Sequence, residues 1–228
     1  LPCPVAQPHD AKMPVPHPML WIPALMLSGI VAAGAQAPYE LTAEQRRIPL
    51  ETPLEAKPGA AKIVLLAGLP SNKPGQHEYF AGCALIQECL AQSPGVTPVL
   101  VAGGWPMAGR EEAVFAGAKS IVCYLDGGAK LAMLPAERWE RLRGLMKSGV
   151  GLVMLHQAVE VPADRSSEFQ SWLGGVWQPD QGGRGHWDMG FGTFPSAHET
   201  LRGVKPFAAP KDGWLYNLHF APSGVTPI

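Results

Sequence analysis

Lys62-Ile63-Val64-Leu65-Leu66-Ala67-Gly68 is the stretch on which the reading of the fold turns. The run is short, continuously apolar and partly β-branched. It stops at a glycine, and a turn-rich loop carries the chain to Gly75. A run with no polar alternation predicts a strand buried on both faces. From His77 to Ala91 the period changes to helical spacing, with Phe80, Cys83, Ile86 (with Leu85) and Leu90 on the apolar side and Gln87 and Glu88 on the other. Cys89 is placed with Cys83 on the apolar stripe. The alternation then repeats. Val99-Leu100-Val101 reads as a strand, Glu111 to Ala116 as a short helix, Ser120 to Leu125 as a strand, Pro135 to Lys147 as a helix and Val150 to Leu155 as a strand. Four apolar strands joined by helices predict a parallel sheet covered on both sides, and right-handed crossovers make it a doubly wound, flavodoxin-like α/β fold.

Downstream of this core the pattern loosens. From Gly174 onward Gly and Trp dominate, with strand-like stretches near Trp187 to Phe194 and Trp214 to Phe220. Upstream, residues 36–61 carry Pro38, Pro49, Pro53 and Pro58 among mixed charges and read as a linker or an extended arm. Residues 1–35 read as a leader and signal peptide. Proline-rich sequence precedes an uncharged apolar run from Met19 to Gly34, which closes on Ala32-Ala33-Gly34-Ala35-Gln36-Ala37. Small residues at Ala33 and Ala35 favour a cut after Ala35 and export to the periplasm or cell envelope. The only basic residue near the apolar run is the distant Lys12, so an uncleaved N-terminal anchor is the competing expectation. A cut after Ala35 leaves three cysteines, Cys83, Cys89 and Cys123, an odd number that reads as buried thiols.

Composition excludes several classes. Eighteen Lys and Arg against 19 Asp and Glu leave no basic excess for a phosphate backbone, so nucleic acid is not an expected partner. An apolar fraction of 46% at near-zero net charge is the opposite of a disordered composition. No Gly-x-x-x-x-Gly-Lys phosphate loop occurs, and Gly182-Gly183-Arg184-Gly185 is placed neither after a strand nor before a helix. There is no Gly-x-Ser-x-Gly elbow.

Ligands of doubly wound sheets bind at the carboxyl ends of the strands, and two such ends carry reactive groups. The loop after the first strand closes on His77-Glu78, and the fourth strand ends at His156, with Glu160 four residues on. An imidazole beside a carboxylate can act as a general base with its orienter, or can share a divalent metal. His77, Glu78, His156 and Glu160 are therefore the candidate catalytic residues. The competing reading makes His77 and Glu78 a helix cap and His156 a sheet-edge hydrogen-bonding group. In the last third, His186, Asp188, His198 and His219 could join His156 around a metal, although no tight ligand spacing is present. Trp172, Trp177, Trp187, Trp214 and Tyr216 are either core or platforms for sugar rings. His186, Asp188, Trp214 and Tyr216 are taken as the substrate-binding candidates. No cofactor is expected beyond that room for a divalent metal.

These segments resemble the ThuA-like (trehalose utilisation) domains, whose fold is like that of class I glutamine amidotransferases. The resemblance rests on Lys62 to Gly68 followed by His77-Glu78-Tyr79-Phe80-Ala81-Gly82-Cys83, and on Gly149 to His156 followed by Ala158-Val159-Glu160. It extends through His186-Trp187-Asp188 and Leu201-Arg202-Gly203-Val204-Lys205-Pro206-Phe207 to Trp214-Leu215-Tyr216, so that residues 62–228 form the candidate domain. An amidotransferase would carry a cysteine after the fourth strand, but this chain reads Met154-Leu155-His156-Gln157-Ala158, which excludes glutaminase chemistry there. The chain also has His198-Glu199 where the family has His-Pro, and Gly213 after Asp212 where the family has an acidic pair. The family pattern continues beyond Pro227, so a domain truncated at its C-terminus is expected.

What the resemblance implies is catabolism of trehalose or a related disaccharide, including keto-glycosides, by acid–base chemistry, with appended or associated redox domains and a homo-oligomer among the expected partners. Two other functions remain open: a non-catalytic carbohydrate-binding or protein-interaction module, and a metal-dependent hydrolase.

Overall fold

A computed structural model describes residues 40–191, 198–226 and 228. The leader and signal-peptide reading of residues 1–35 lies outside these residues, as does the tip of the strand expected to run on to Phe194. No helix among the described residues is long and apolar enough to cross a membrane.

The four strands expected from the apolar runs form the central sheet. They are β1 (Ala61–Ala67), β2 (Val96–Ala102), β3 (Ala118–Tyr124) and β4 (Gly151–Leu155). All are parallel, in the order β2-β1-β3-β4. Val64 lies beside Val99 on one side and Ile121 on the other, and the β1–β3 register shifts once, between Lys62 and Ile63. Pro98 sits in β2, an edge strand, where a missing N–H can be tolerated. Around the sheet lie α1 (Tyr79–Ala91), α2 (Glu111–Phe115), α3 (Ala136–Lys147) and α4 (Ser166–Leu173). The flavodoxin-like α/β fold read from the sequence is the fold observed.

Alternation along β1 sorts its side chains between the two faces. Leu65 and Ala67 pack with Phe80 and Cys83 of α1, whereas Val64 and Leu66 join Trp139 and Leu142 of α3 and Phe169 of α4. Coverage thins at β4. Leu152 and Met154 pack against the α3–α4 side, but Val153 points the other way and is 41% exposed.

Two details of α1 differ from expectation. Gln87 is buried, while Leu85 and Cys89 are exposed. Four residues separate Cys83 from Gln87, close to one helical turn. Six separate it from Cys89, which rotates the thiol about 120° off that face. The buried-thiol reading holds for Cys83 and Cys123. Burial raises both, Cys83 to about 12, so neither is a thiolate at neutral pH.

Residues 40–61 behave as the extended arm rather than as a free linker. Leu41, Ile48 and Leu50 pack against the α1-side cluster. Glu51 is 2% exposed, and its carboxylate accepts from the Met107 amide at 2.7 Å and from Arg110 Nε at 3.2 Å. The buried Lys62 ammonium donates to the carbonyls of Leu54, Ala113 and Ala116 at 2.5, 3.0 and 3.0 Å. That one cation ties the arm to β1 and to the end of α2.

After α4 the chain forms β5 (Gly175–Val176), a long antiparallel hairpin of β6 (Gly183–Phe191) and β7 (Phe207–Tyr216), and β8 (His219–Phe220), which pairs with β5. The hairpin starts earlier than the strand expected near Trp187, because Gly183 to His186 pair with Tyr216 to Gly213.

Candidate functional site

Three loops leave the carboxyl edge of the sheet, and glycines let them touch. Gly68 follows β1, and a Cβ there would stand 2.5 Å from the Cβ of Leu125. The Gly68 amide donates to the Tyr124 carbonyl at 2.9 Å. Gly127, just after β3, approaches the β4 loop so closely that a Cβ would lie 2.0 Å from the Gln157 carbonyl oxygen. The contact is sealed by the Gly128 amide donating to the Glu160 carbonyl at 2.8 Å. These approaches gather Ser71, His77, Asp126, His156 and Gln157 from separate parts of the chain.

His77 is the hub. Its Nδ1 lies 2.7 Å from Ser71 Oγ, 3.1 Å from the Tyr79 hydroxyl and 3.5 Å from Asp126 Oδ1. Ser71 and Tyr79 both donate to that same Asp126 oxygen, at 2.8 and 2.5 Å. Lys130 donates to the other carboxylate oxygen at 3.3 Å. Burial alone would raise the Asp126 carboxyl, but the Tyr79 and Ser71 hydrogen bonds and the Lys130 ammonium outweigh it and hold it below the usual carboxylate range. Tyr79 is fully buried, and burial together with its bond to Asp126 drives its phenol well above the ordinary value. The Asn72 amide nitrogen lies along the ring, 3.0 Å from Nδ1 and 3.2 Å from Nε2, and that of Gln157 lies 3.4 Å from Nε2.

His156 faces this hub, with the two imidazoles edge to face at a centroid distance of 5.1 Å. Desolvation in the cleft, and the neighbouring His77, lower its pKa below the ordinary 6.5. Both histidines have left-handed backbones, φ 51° at His77 and 56° at His156. For a non-glycine residue this conformation is uncommon, and such residues concentrate at functional sites. His156 stands where β4 breaks into a 3-10 turn, a strand-to-helix corner like the one on which α/β-hydrolases present a reactive side chain.

The remaining wall belongs to the hairpin. Together with Tyr124, the residues Arg184, His186, Asp212 and Trp214 complete a cleft of about 730 Å³ containing His77 and His156. Arg184 is fastened to Glu160 by an ion pair and lies over the Trp177 ring at 4.5 Å. Asp212 acts electrostatically on both His156 and Tyr124, favouring the protonated form of each.

Of the eight residues read from the sequence, His77, His156, His186 and Trp214 line this cleft. Glu78 does not. Its carboxylate is exposed and accepts from the Gly75 amide at 2.8 Å, bracing the preceding loop; Glu78 stands at the N-cap position of α1, but its side chain does not cap the helix. Glu160 supports the wall through Arg184 rather than lining it. Asp188 accepts from the Lys211 amide at 2.7 Å within the hairpin, and Tyr216 packs over Gly183 and beside Trp187. Trp177 is core at 1% exposure, and Trp172 packs against that core. His198 closes on Thr200, and His219 lies in β8, so neither joins His156. Among the described residues no group of three or more side chains is arranged to hold a metal.

Sequence reading passed over Ser71, Tyr79, Asp126 and Gln157. Asp126 had a usable signal: it directly follows the third strand, at the carboxyl edge where ligands bind. Arg184 and Asp212 had none, because the pairing of a glycine-rich hairpin is not legible from its periodicity. No family model, no curated protein and no solved structure matches this chain.

Proposed function

We propose that the cleft is an acid–base site for a small hydroxylated substrate, with a disaccharide or its keto derivative as the substrate class. The observation that carries this reading is the facing pair His77 and His156, 5.1 Å apart in the cleft wall. Two imidazoles at that distance can take a proton from one atom of a bound molecule and return one to another. Glu78, one of the two candidate catalytic carboxylates, bonds the Gly75 amide and does not line the cleft, so we assign the base to His77, with His156 as its partner. The choice of a sugar draws on the ThuA-like resemblance and on Trp214, a flat apolar surface beside hydrogen-bonding groups in the cleft.

The test is a thermal-shift titration against disaccharides, their keto derivatives and divalent metals, followed by turnover assays on any sugar that binds. Saturating the site about 100-fold should add ~2.7 kcal/mol of stability. Turnover that survives both His77→Ala and His156→Ala would dispose of the acid–base reading.

A second reading has its own support. Trp187, Phe207 and Tyr216 on the hairpin are 38%, 52% and 46% exposed, more aromatic surface than a solvated ribbon needs. A carbohydrate-binding or interaction module would use that surface. Its binding would persist in His156→Ala and fall on Trp187→Ala.

A further inference from the structure

The protons around His77 can be assigned one by one. Asp126 is ionised and only accepts. Ser71 Oγ and the Tyr79 hydroxyl each hold one proton, and both point it at Asp126 Oδ1, at 2.8 and 2.5 Å. Neither hydroxyl has a second proton to offer, so each presents only lone pairs to His77 Nδ1, at 2.7 and 3.1 Å. Two acceptors at hydrogen-bond distance, with a carboxylate oxygen at 3.5 Å behind them, outweigh the single amide nitrogen that also reaches this atom, Asn72 at 3.0 Å, and place a hydrogen on Nδ1. A neutral imidazole has one such hydrogen, so Nε2 carries the bare lone pair. The Asn72 amide nitrogen, 3.0 Å from Nδ1 and 3.2 Å from Nε2, selects neither atom, whereas that of Gln157 reaches Nε2 alone, at 3.4 Å, and as a donor it matches a bare lone pair there.

We propose that Asp126 is the positioning residue of this site: working through Ser71 and Tyr79, it locks His77 as the Nδ1–H tautomer and presents Nε2 as the proton acceptor. The relay has a direction. Asp126 sets the hydroxyl protons, the hydroxyls set the imidazole, and Nε2 is left able to accept but not to donate. When Nε2 takes a proton, the imidazolium formed lies beside a carboxylate that is already ionised. Because Ser71 and Asp126 come from the loops after β1 and β3, the lock depends on the close approach at Gly68 and Leu125. The catalytic meaning of the tautomer rests on the acid–base reading of the cleft; the tautomer itself does not.

The experiment is a long-range proton–nitrogen correlation spectrum of the ¹⁵N-labelled full chain above neutral pH, with His77 identified by its loss in His77→Gln. The expected result is a protonated Nδ1 and an unprotonated Nε2 in the unaltered protein. In Asp126→Ala the hydroxyl protons lose their acceptor and turn to Nδ1, and the signal should move to the Nε2–H form. An Nε2–H tautomer, or an even mixture, in the unaltered protein would overturn the proposal. Persistence of Nδ1–H in folded Asp126→Ala would remove Asp126 from its role. The spectrum of the unaltered chain needs no variant to fold, so the tautomer is decided in every case. A locked tautomer alongside undiminished turnover in His77→Ala would leave the relay standing and reject only the proposed function.

Discussion

His156 and His77 meet edge to face, 5.1 Å between ring centroids, although 79 positions separate them in the chain and each is held at a positive φ. Two strained imidazoles turned on one another are costly unless the arrangement is used. On the acid–base reading, replacing either one removes a proton-transfer group from the reacting centre. His77→Ala and His156→Ala should each lower turnover by about 10²- to 10⁴-fold. The melt of His156→Ala should stay close to that of the parent protein, because that ring is exposed, whereas His77→Ala should lose about 1–3 kcal/mol, because its largely buried ring partners Ser71 and Tyr79. Steady-state rates with any sugar found to bind would check the first claim, and a melt would check the second.

The same pair makes stability depend on pH. His156 has a folded-state pKa below 6.5, lowered by desolvation and by His77. Between that lowered value and 6.5 the unfolded chain binds more protons than the folded one, so stability rises with pH through this window and levels off above it. Asp126 also has a lowered folded-state pKa. Its contribution is complete above about 3.8 and is lost as pH falls through the folded value. Acid should therefore weaken the fold in two steps. Urea midpoints at about pH 7.5 and about pH 5 would show the upper step, and His156→Asn should remove most of it.

How much of this was legible in the sequence follows the physics of each element. Ile63 to Ala67 is apolar on both faces, as a buried parallel strand requires, and Val150 to Leu155 carries the same pattern although Val153 leaves one of its faces partly exposed, so the sheet could be read directly. His156 was found because it ends such a strand. The phase of α1 was misread at Cys89 because cysteine and leucine look alike in a hydropathy pattern, and one step of 100° moves a side chain to another face. Gln87 was misplaced for the same reason. Asp126 and Ser71 were missed because their role exists only where two loops touch, and that contact depends on a missing Cβ at Gly68 rather than on any periodic signal.

Lys62 is buried to 1% exposure, and among the described residues its hydrogen-bond partners are three backbone carbonyls. Burial pulls its pKa below the ordinary value, partly opposed by Glu55. Lys62→Met keeps the stem and removes the charge, leaving the carbonyls of Leu54, Ala113 and Ala116 facing an apolar methyl. Charge-assisted hydrogen bonds of this kind contribute about 1.5–3 kcal/mol each before desolvation of the ammonium is offset. A net loss of about 2–4 kcal/mol in chemical denaturation is expected, with the arm of residues 40–61 becoming the preferred site of limited proteolysis.

Gly127→Ala tests whether loop contact, rather than side-chain chemistry, assembles the site. The new methyl would stand 2.0 Å from the Gln157 carbonyl oxygen and 2.6 Å from the Glu160 Cβ, well inside van der Waals contact. Backbone must move, and the backbone on one side carries Asp126 while that on the other carries His156 and Gln157. Gly127 has no reactive group to lose. If the site is assembled by this approach, the alanine variant should keep its sheet, lose about 1–3 kcal/mol of stability, and bind the cleft ligand at least tenfold more weakly. Far-ultraviolet circular dichroism would report the sheet and titration calorimetry the binding. Undiminished affinity in a folded Gly127→Ala protein would mean that the β3 and β4 loops are positioned independently, and that the Asp126–His77 relay owes nothing to this contact.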